Sequence, residues 1–183
     1  MSDPQRATAD PAWLDELARD LSAASLLRGD FVLSSGARSS YYLDKYLFET
    51  DPSVLRRLGT ALAAYVPADT QKIAGTELGA VALATALSLE TGIPFVIVRR
   101  AAKEYSTAKP VEGRLAEGER VVLVEDVVTT GAQVLKAADK LVAQGVVITA
   151  ILAVVDREEG GREAIEGAGH RFETLFTRTS LGI

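Results

Sequence analysis

The sequence predicts an α/β fold in which helices flank a twisted, mainly parallel β-sheet. Short runs rich in valine and isoleucine alternate with segments whose apolar residues recur at helical spacing. The run Val121–Val124 has no polar alternation, as expected of a strand buried on both faces of a parallel sheet. The length of 183 residues is enough for one domain with a full-sized core.

The individual elements follow from capping residues, apolar spacing and turn residues. An Asp–Pro pair caps and begins a helix, whereas glycine commonly ends one. In chain order we predict a helix from 11 to a stop at Gly29, a hairpin of strands 31–33 and 41–43, a helix from 52, a strand at 72–74, a helix to 89, strands at 95–98 and 121–124, a helix at 132–144 and a strand at 146–155. Residues 100–117 are polar and aperiodic, which predicts a long loop.

Composition excludes several classes of protein. A net charge of −5 argues against a general nucleic-acid binder, which would need a basic face. No apolar run is long enough to span a bilayer, and residues 1–6 lack the apolar core of a signal peptide. The absence of cysteine excludes disulfides and, with a single histidine (His170), argues against a zinc site. We therefore expect a cytoplasmic protein with no membrane or nucleic-acid partner.

The segment 121–133 is the most informative part of the sequence. Backbone N–H groups in a tight turn that begins a helix bind anions, phosphate above all. Gly131 allows the backbone to approach such an anion, and Thr129 and Thr130 add hydroxyl donors. Glu125 and Asp126 would repel a phosphate, so they suit sugar hydroxyls or a metal–phosphate complex. The alternative is an ordinary strand–helix turn that happens to carry two acids.

This order of residues resembles the phosphoribosyl-diphosphate (PRPP) motif of the type I phosphoribosyltransferases. The resemblance implies that the acidic pair binds the ribose 2′- and 3′-hydroxyls and that the following loop holds the 5′-phosphate. The PRPP-binding residues implied in this segment are Glu125, Asp126, Val127, Val128, Thr129, Thr130, Gly131, Ala132 and Gln133. The fold implied is the type I core with a small N-terminal hood, a single domain over 1–183 with the hood at about 10–46, the core at about 52–160 and a mobile loop at about 100–117.

The stretch from Phe31 to Asp44 resembles the N-terminal signature of the orotate phosphoribosyltransferases, F-x-L-x-S-G-x-x-S-x-Y-Y-x-D. In that family the hairpin forms a hood over the nucleobase, which implies that Tyr41 and Tyr42 bind orotate. The alternative for Tyr42 is a ring that simply packs within the hairpin.

The stretch from Val98 to Tyr105 resembles the mobile catalytic loop of the same family. The resemblance implies that Arg99, Arg100 and Lys103 reach pyrophosphate, where positive charge stabilises the leaving group in the transition state. Many family members have lysine in place of Arg100 and a histidine–glycine pair in place of Tyr105-Ser106, so no role of that histidine is carried to Tyr105. The alternative is a solvated charged loop.

Two shorter matches complete the resemblance. Thr76, Glu77, Leu78 and Gly79 occupy the place of the family's pyrophosphate loop. Arg157 occupies the place of the arginine that binds the orotate carboxylate in a bidentate manner, and Thr129 is also implied to contact orotate. In the alternative, Arg157 pairs on the surface with Asp156 or Glu158.

The resemblance as a whole implies the reaction of orotate with PRPP to give orotidine 5′-monophosphate and pyrophosphate. It implies Glu125, Asp126 and Lys103 as catalytic residues, Mg²⁺ held through PRPP and water with no protein ligand, and a homodimer with shared active sites. Two alternatives remain open. One is a type I transferase for another nucleobase, and the other is a PRPP-sensing regulatory protein that binds nucleic acid.

Overall fold

A computed structural model describes residues 11–32, 38–100 and 109–183, with the backbone alone at Ser39. The helices are α1 (Pro11–Ser25), α2 (Lys45–Glu49), α3 (Pro52–Ala63), α4 (Ala80–Thr91), α5 (Ala132–Val142) and α6 (Gly161–Gly167). The strands are β1 (Leu26–Val32), β2 (Arg38–Leu43), β3 (Lys72–Thr76), β4 (Phe95–Val98), β5 (Val111–Glu112), β6 (Arg120–Val128), β7 (Val147–Asp156) and β8 (Phe172–Thr177).

The main sheet has six strands in the order β5-β4-β3-β6-β7-β8. All neighbouring pairs are parallel except β4 with β5, which is antiparallel. This confirms the α/β fold with a mainly parallel sheet. The order places β3 and β6 at the centre, where the carboxyl ends of parallel strands meet loops that bind ligands.

Side chains of β6 alternate between two apolar cores, one on each face of the sheet. Val122 and Val124 join the core that contains α1, α3 and α4, whereas Val121 and Leu123 join the core that contains α5 and α6. All four side chains are fully buried. Burial on both faces explains why the sequence of β6 lacks the polar alternation of a half-exposed strand.

A two-stranded antiparallel hairpin of β1 and β2 stands apart from the main sheet, where the hood is expected. Asp44 ends this hairpin: its N–H donates to the Ser25 carbonyl at 2.9 Å. Its carboxylate accepts from the N–H of Tyr46 at 3.1 Å and so caps α2. The hood is therefore followed directly by a short capped helix.

Two of the predicted boundaries are wrong. The first helix ends at Ser25 rather than at Gly29, because Leu26 begins a strand whose pairing with Leu43 overrides the helical spacing. Gly29 lies where the β1–β2 register shifts. The core also extends beyond 160, since β8 pairs with β7.

Two segments differ in detail from the prediction. The predicted loop at 100–117 contains the strand β5, which pairs with Ile97 and Val98, while residues 101–108 lie outside the described ranges. Strand β6 continues to Val128, so Glu125 and Asp126 lie within the strand instead of after it. The pairing of Val128 with Asp156 on β7 holds this extension in place. No helix in the described ranges has the length and apolarity needed to cross a bilayer.

Candidate functional site

A cavity of about 470 Å³ opens at the carboxyl ends of β3, β4 and β6, beside the start of α5. The sequence-predicted residues that line it are Thr76, Glu77, Arg99, Arg100, Glu125, Asp126, Val127, Val128, Thr129, Gly131 and Gln133. Leu78, Gly79, Thr130 and Ala132 adjoin these residues in the chain but do not line the cavity. Tyr41, Tyr42 and Arg157, near the hood, do not line it either. Lys103 and Tyr105 lie outside the described residues.

The turn before α5 has the geometry of an anion site. Gly131 adopts the left-handed backbone conformation (φ 78°) at the position that precedes α5, and no side chain caps the helix. The first N–H groups of a helix have no partner within the helix, and the helix dipole favours negative charge there. The uncapped start of α5 therefore offers its N–H groups to the cavity, as the sequence predicts.

Three carboxyl side chains are buried together at the end of β6. The residues Glu49, Glu125 and Asp126 are 3%, 9% and 2% exposed. The Thr76 hydroxyl donates to Glu125 Oε1 at 2.9 Å, and the Val127 N–H donates to Asp126 Oδ1 at 2.6 Å. Glu49 Oε1 is buried with no hydrogen-bond partner. Buried carboxylates are costly unless they are paired or protonated, so the cluster needs a cation or protons.

Lys45 supplies the cation. Its Nζ donates to Asp126 Oδ2 at 2.6 Å, and its side chain is 35% exposed. Lys45 and Glu49 are the first and last residues of α2, so one short helix after the hood delivers both groups to Asp126. Neither residue is among those predicted from the sequence. The available signal was a pair of opposite charges at i and i+4 on a helix capped by the last residue of the hood motif.

Burial and mutual repulsion shift the acids toward their protonated forms. Burial, followed by the negative charge of Asp126, raises the pKa of Glu49 to about 8. The same two causes in the same order raise the pKa of Glu125 to about 8. Burial is the largest single influence on Lys45 and lowers its pKa, but the charge and hydrogen bond of Asp126 together with the charges of Glu49 and Glu125 outweigh burial, so the pKa is raised overall. Near neutral pH the cluster thus holds fewer negative charges than carboxyl groups.

Glu77, in the loop between β3 and α4, binds the chain just after β4. The N–H of Arg100 donates to Glu77 Oε2 at 3.0 Å, and the Arg99 guanidinium lies 3.8 Å from Glu77 Oε1. Arg99 also donates to Glu112 Oε1 at 3.3 Å. Two carboxylates therefore hold Arg99, which does not project freely toward an anion. The Glu77–Leu78 peptide bond is cis.

Lys140 on α5 holds the same point of the loop from the other side. Its Nζ donates to the carbonyl oxygens of Arg99 at 2.7 Å and Arg100 at 3.0 Å. Lys140 is also absent from the residues predicted from the sequence, because nothing in an amphipathic helix shows which distant carbonyls its lysine meets. The contact links the chain just after β4 to helix α5.

Arg157 faces the hood. Its guanidinium carbon lies 5.9 Å from the centre of the Tyr41 ring, and its Nη2 pairs with Glu159 at 3.0 Å. The alternative partners Asp156 and Glu158 are wrong: Asp156 accepts the Glu158 N–H at 2.8 Å, and Glu158 binds Thr179.

The packing alternative for Tyr42 is supported, since its ring lies 5.7 Å from that of Phe31. Adjacent strand residues face opposite sides, so Tyr41 alone is beside Arg157.

Two comparisons with known proteins identify relatives of this chain. Residues 58–169 match the family model described as the phosphoribosyl transferase domain. The chain is 48% identical over 168 residues to the orotate phosphoribosyltransferase of Halobacterium salinarum, and the match covers 91% of this chain and 95% of that protein.

Solved structures identify relatives as well. The Mycobacterium tuberculosis orotate phosphoribosyltransferase in complex with Fe(III) dicitrate is similar with a TM-score of 0.84 and 31% identity, covering 93% of this chain and 99% of that one. The same M. tuberculosis enzyme in complex with PRPP is similar with a TM-score of 0.76 and 32% identity, again covering 93% and 99%.

The close approach of Gly79 to the acids predicts the effect of one methyl group. A Cβ at Gly79 would overlap Asp126 Oδ2 and press on Glu49 Oε1, although the backbone conformation (φ −58°, ψ −50°) accepts any residue. We expect Gly79→Ala to lower the free energy of unfolding by about 1–3 kcal/mol, the usual range for overpacking. Gly167→Ala is the matched control, since a Cβ there meets no atom within 4 Å. Equal urea midpoints for the two variants would contradict the contact.

The raised pKa of Glu49 predicts the pH dependence of stability. In the unfolded chain Glu49 ionises near pH 4.5, as a glutamate in water does, whereas in the folded protein its pKa of about 8 keeps it protonated at neutral pH. The contribution of Glu49 to the free energy of unfolding is therefore fully present below pH 4.5. It is lost as pH rises through 8, by up to about 1.4 kcal/mol per pH unit. Glu49→Gln should be stabilised relative to wild type at pH 8 more than at pH 5, as measured by urea unfolding. Glu163→Gln, at an exposed site, should show no such difference, and a Glu49→Gln effect independent of pH would refute the shift.

Proposed function

The chain belongs to the orotate phosphoribosyltransferase family, and we propose that it transfers the 5-phosphoribosyl group of PRPP to orotate, giving orotidine 5′-monophosphate and pyrophosphate in pyrimidine biosynthesis. The observation that carries the proposal is the junction of β6 and α5. There Glu125 and Asp126 share one cavity with the uncapped start of α5. A sugar phosphate needs both parts: N–H donors for its phosphate and acceptors for its hydroxyls.

Each part of the site has a role in the proposed reaction. The 5′-phosphate binds at the start of α5, and the ribose hydroxyls donate to Asp126 and Glu125. Orotate N1 bonds to C1′ and releases its N–H proton to water while the bond from C1′ to the pyrophosphate oxygen breaks, and positive charge develops on the ribosyl ring. The charge of Asp126 stabilises that ring more in the transition state than in the ground state. Holding orotate N1 beside C1′ is the main contribution that the described residues can make to this attack.

The base site lies between the hood and the loop after β7. Tyr41 and Arg157 face each other there, and the planar guanidinium suits a carboxylate. In the free protein Glu159 occupies Arg157 Nη2. The carboxylate of orotate would replace that of Glu159, which is 41% exposed and free to turn to solvent. Thr129, on the cavity wall, completes this side.

Mg²⁺ is proposed as the cofactor, bound through PRPP oxygens and water. The described residues include no group of three or more His, Cys, Asp or Glu side chains placed to hold a metal ion. An ion that arrives with its substrate and keeps several waters needs no such group. When bound, Mg²⁺ would offset the negative charge of the pyrophosphate group.

The catalytic loop is proposed to close over pyrophosphate and to bring Lys103 to it. Its start is fixed by Glu77 and Lys140. We therefore propose that the part of the loop that closes begins after Arg100. Arg99, held by Glu77 and Glu112, is proposed to act at the edge of the pyrophosphate site rather than to move with the loop.

A homodimer is proposed on the outer face of α3 and α4. Helix α4 is apolar on nearly every side, yet Leu89 is 83% exposed. A groove of about 490 Å³ runs beside it, and its lining includes Arg56 and Glu90. Arg56 of each copy can pair with Glu90 of the other across a two-fold axis, so a second copy is the fitting occupant. Because α4 begins immediately after Gly79, that copy would stand beside the pyrophosphate loop.

We also propose that the chain acts as one domain in the cytoplasm and binds neither nucleic acid nor membrane. The absence of cysteine and the net charge of −5 support this placement.

The function is tested by a substrate panel with and without Arg157. With PRPP and Mg²⁺, the wild-type protein should consume orotate and should leave adenine and hypoxanthine unchanged. The loss of orotate absorbance measures the reaction. Arg157→Ala should raise the orotate KM by about 10- to 150-fold, the equivalent of 1.5–3 kcal/mol for a hydrogen bond to a charged group, with a much smaller effect on the PRPP KM. Turnover of a purine but not of orotate would overturn the assignment. Equal changes in both KM values would show that Arg157 serves the fold instead.

The dimer is tested at Leu89. Leu89→Glu places a charge in the apolar groove and should convert a dimer to a monomer in sedimentation velocity. If a neighbouring copy supplies Lys103, kcat/KM should then fall at least about tenfold. Val142→Glu is the matched control, since Val142 is also an exposed apolar helix residue (52%) but lies on α5. An unchanged dimer would place the interface elsewhere, and a fully active monomer would exclude shared sites.

A further inference from the structure

Lys45 occupies a position that the proposed reaction leaves unexplained. It is the first residue of α2, one residue after Asp44 and two after the hood strand that carries Tyr41. Its stem reaches from the hood side into the cavity, and its Nζ meets Asp126. In the described ranges no other lysine or arginine forms an ion pair with Asp126.

The contact uses the oxygen that a ribose hydroxyl needs. Asp126 Oδ1 already accepts the Val127 N–H, and Asp126 Oδ2 accepts from Lys45. A ribose hydroxyl that binds Asp126 therefore competes with the ammonium or shares its acceptor. Displaced from Asp126, the ammonium faces a cavity in which Glu49 and Glu125 are largely protonated near neutral pH, because the pKa of each is raised to about 8, so neither offers a full negative charge.

Within the proposed function, we propose that Lys45 is a further orotate-binding residue, which neutralises Asp126 in the free protein and turns to the anionic base once ribose hydroxyls occupy Asp126. Lys45 and Arg157 would then hold the base from two sides of the hood strand. The phosphates are less suited as partners, because they bind at the start of α5 and beside Glu77, whereas the backbone of Lys45 belongs to the hood. The movement of the Lys45 ammonium from Asp126 to orotate also couples the binding of the two substrates, because ribose binding releases a cation for orotate.

Charge and hydrogen bonding at Lys45 are separable with two variants. Lys45→Gln keeps a donor for Asp126 but loses the charge, and Lys45→Arg keeps the charge. We expect Lys45→Gln to raise the orotate KM at least about tenfold, the scale of a hydrogen bond to a charged group, and to change the PRPP KM less than about threefold. Lys45→Arg should restore the orotate KM to within about threefold of wild type. Arg19→Gln, at an exposed site on α1, is the control for loss of one positive charge and should have no effect.

The outcomes separate this proposal from the proposed function. A wild-type protein that does not use orotate refutes the function itself. If wild type uses orotate but Lys45→Gln raises only the PRPP KM, or raises both KM values equally, then Lys45 serves Asp126 or the phosphates and the proposal is wrong.

A second measurement is made on the wild-type protein itself, with a variant used only to assign the signal. With lysine Nζ labelled with ¹⁵N, orotate added to protein saturated with ribose 5-phosphate should shift the Lys45 ammonium signal, assigned by its loss in Lys45→Arg. Orotate that binds without shifting that signal would overturn the proposal.

Discussion

The burial of three carboxyl groups around one ammonium, at the end of the central strand β6, is the constraint on which the site depends. Glu125 and Asp126 come from the strand itself, while Glu49 and Lys45 come from α2. The cluster forms only because the hood ends in a capped helix directed at β6 and because Gly79 has no side chain to block the approach. The hood and the core are thus joined through electrostatics as well as through chain connectivity.

This cluster reconciles two opposing requirements. The ribosyl ring gains positive charge as the reaction proceeds, so a carboxylate beside it is useful. PRPP is strongly anionic, so three ionised carboxylates at the same place would repel it. Burial raises the pKa of Glu49 and Glu125, and Lys45 offsets the charge of Asp126. The site therefore keeps oxygen acceptors for hydroxyl groups without a matching excess of negative charge.

The sequence was sufficient for the parts of the site that are local in the chain. The strand, the acids, the Gly131 turn and α5 are contiguous, so spacing alone predicts their arrangement, and the motif resemblance indicates their role. The residues that were missed come from distant segments. Lys45 and Glu49 meet Asp126 across about 80 positions, and Lys140 meets the carbonyl of Arg99 across 41. Such contacts depend on packing, which no local pattern encodes.

The wrong boundaries have the same origin. Gly29 is a reasonable helix stop by local rules, but the pairing of β1 with β2 outcompetes the helix before it reaches that residue. Strand β8 was not predicted from the sequence, because Phe172–Thr177 is short and only partly apolar. Its position in the sheet is set by pairing with β7. Tertiary pairing decides both cases.

The central claim, that the end of β6 carries more carboxyl groups than negative charges, is open to direct measurement. Glutamate Cδ atoms labelled with ¹³C report ionisation in NMR, and Glu49→Gln and Glu125→Gln assign the two signals. We expect both glutamates to titrate near pH 8, far above the exposed glutamates. If both instead titrate between about 4 and 5, as glutamates in water do, the buried cluster is fully ionised and does not carry fewer charges than carboxyl groups.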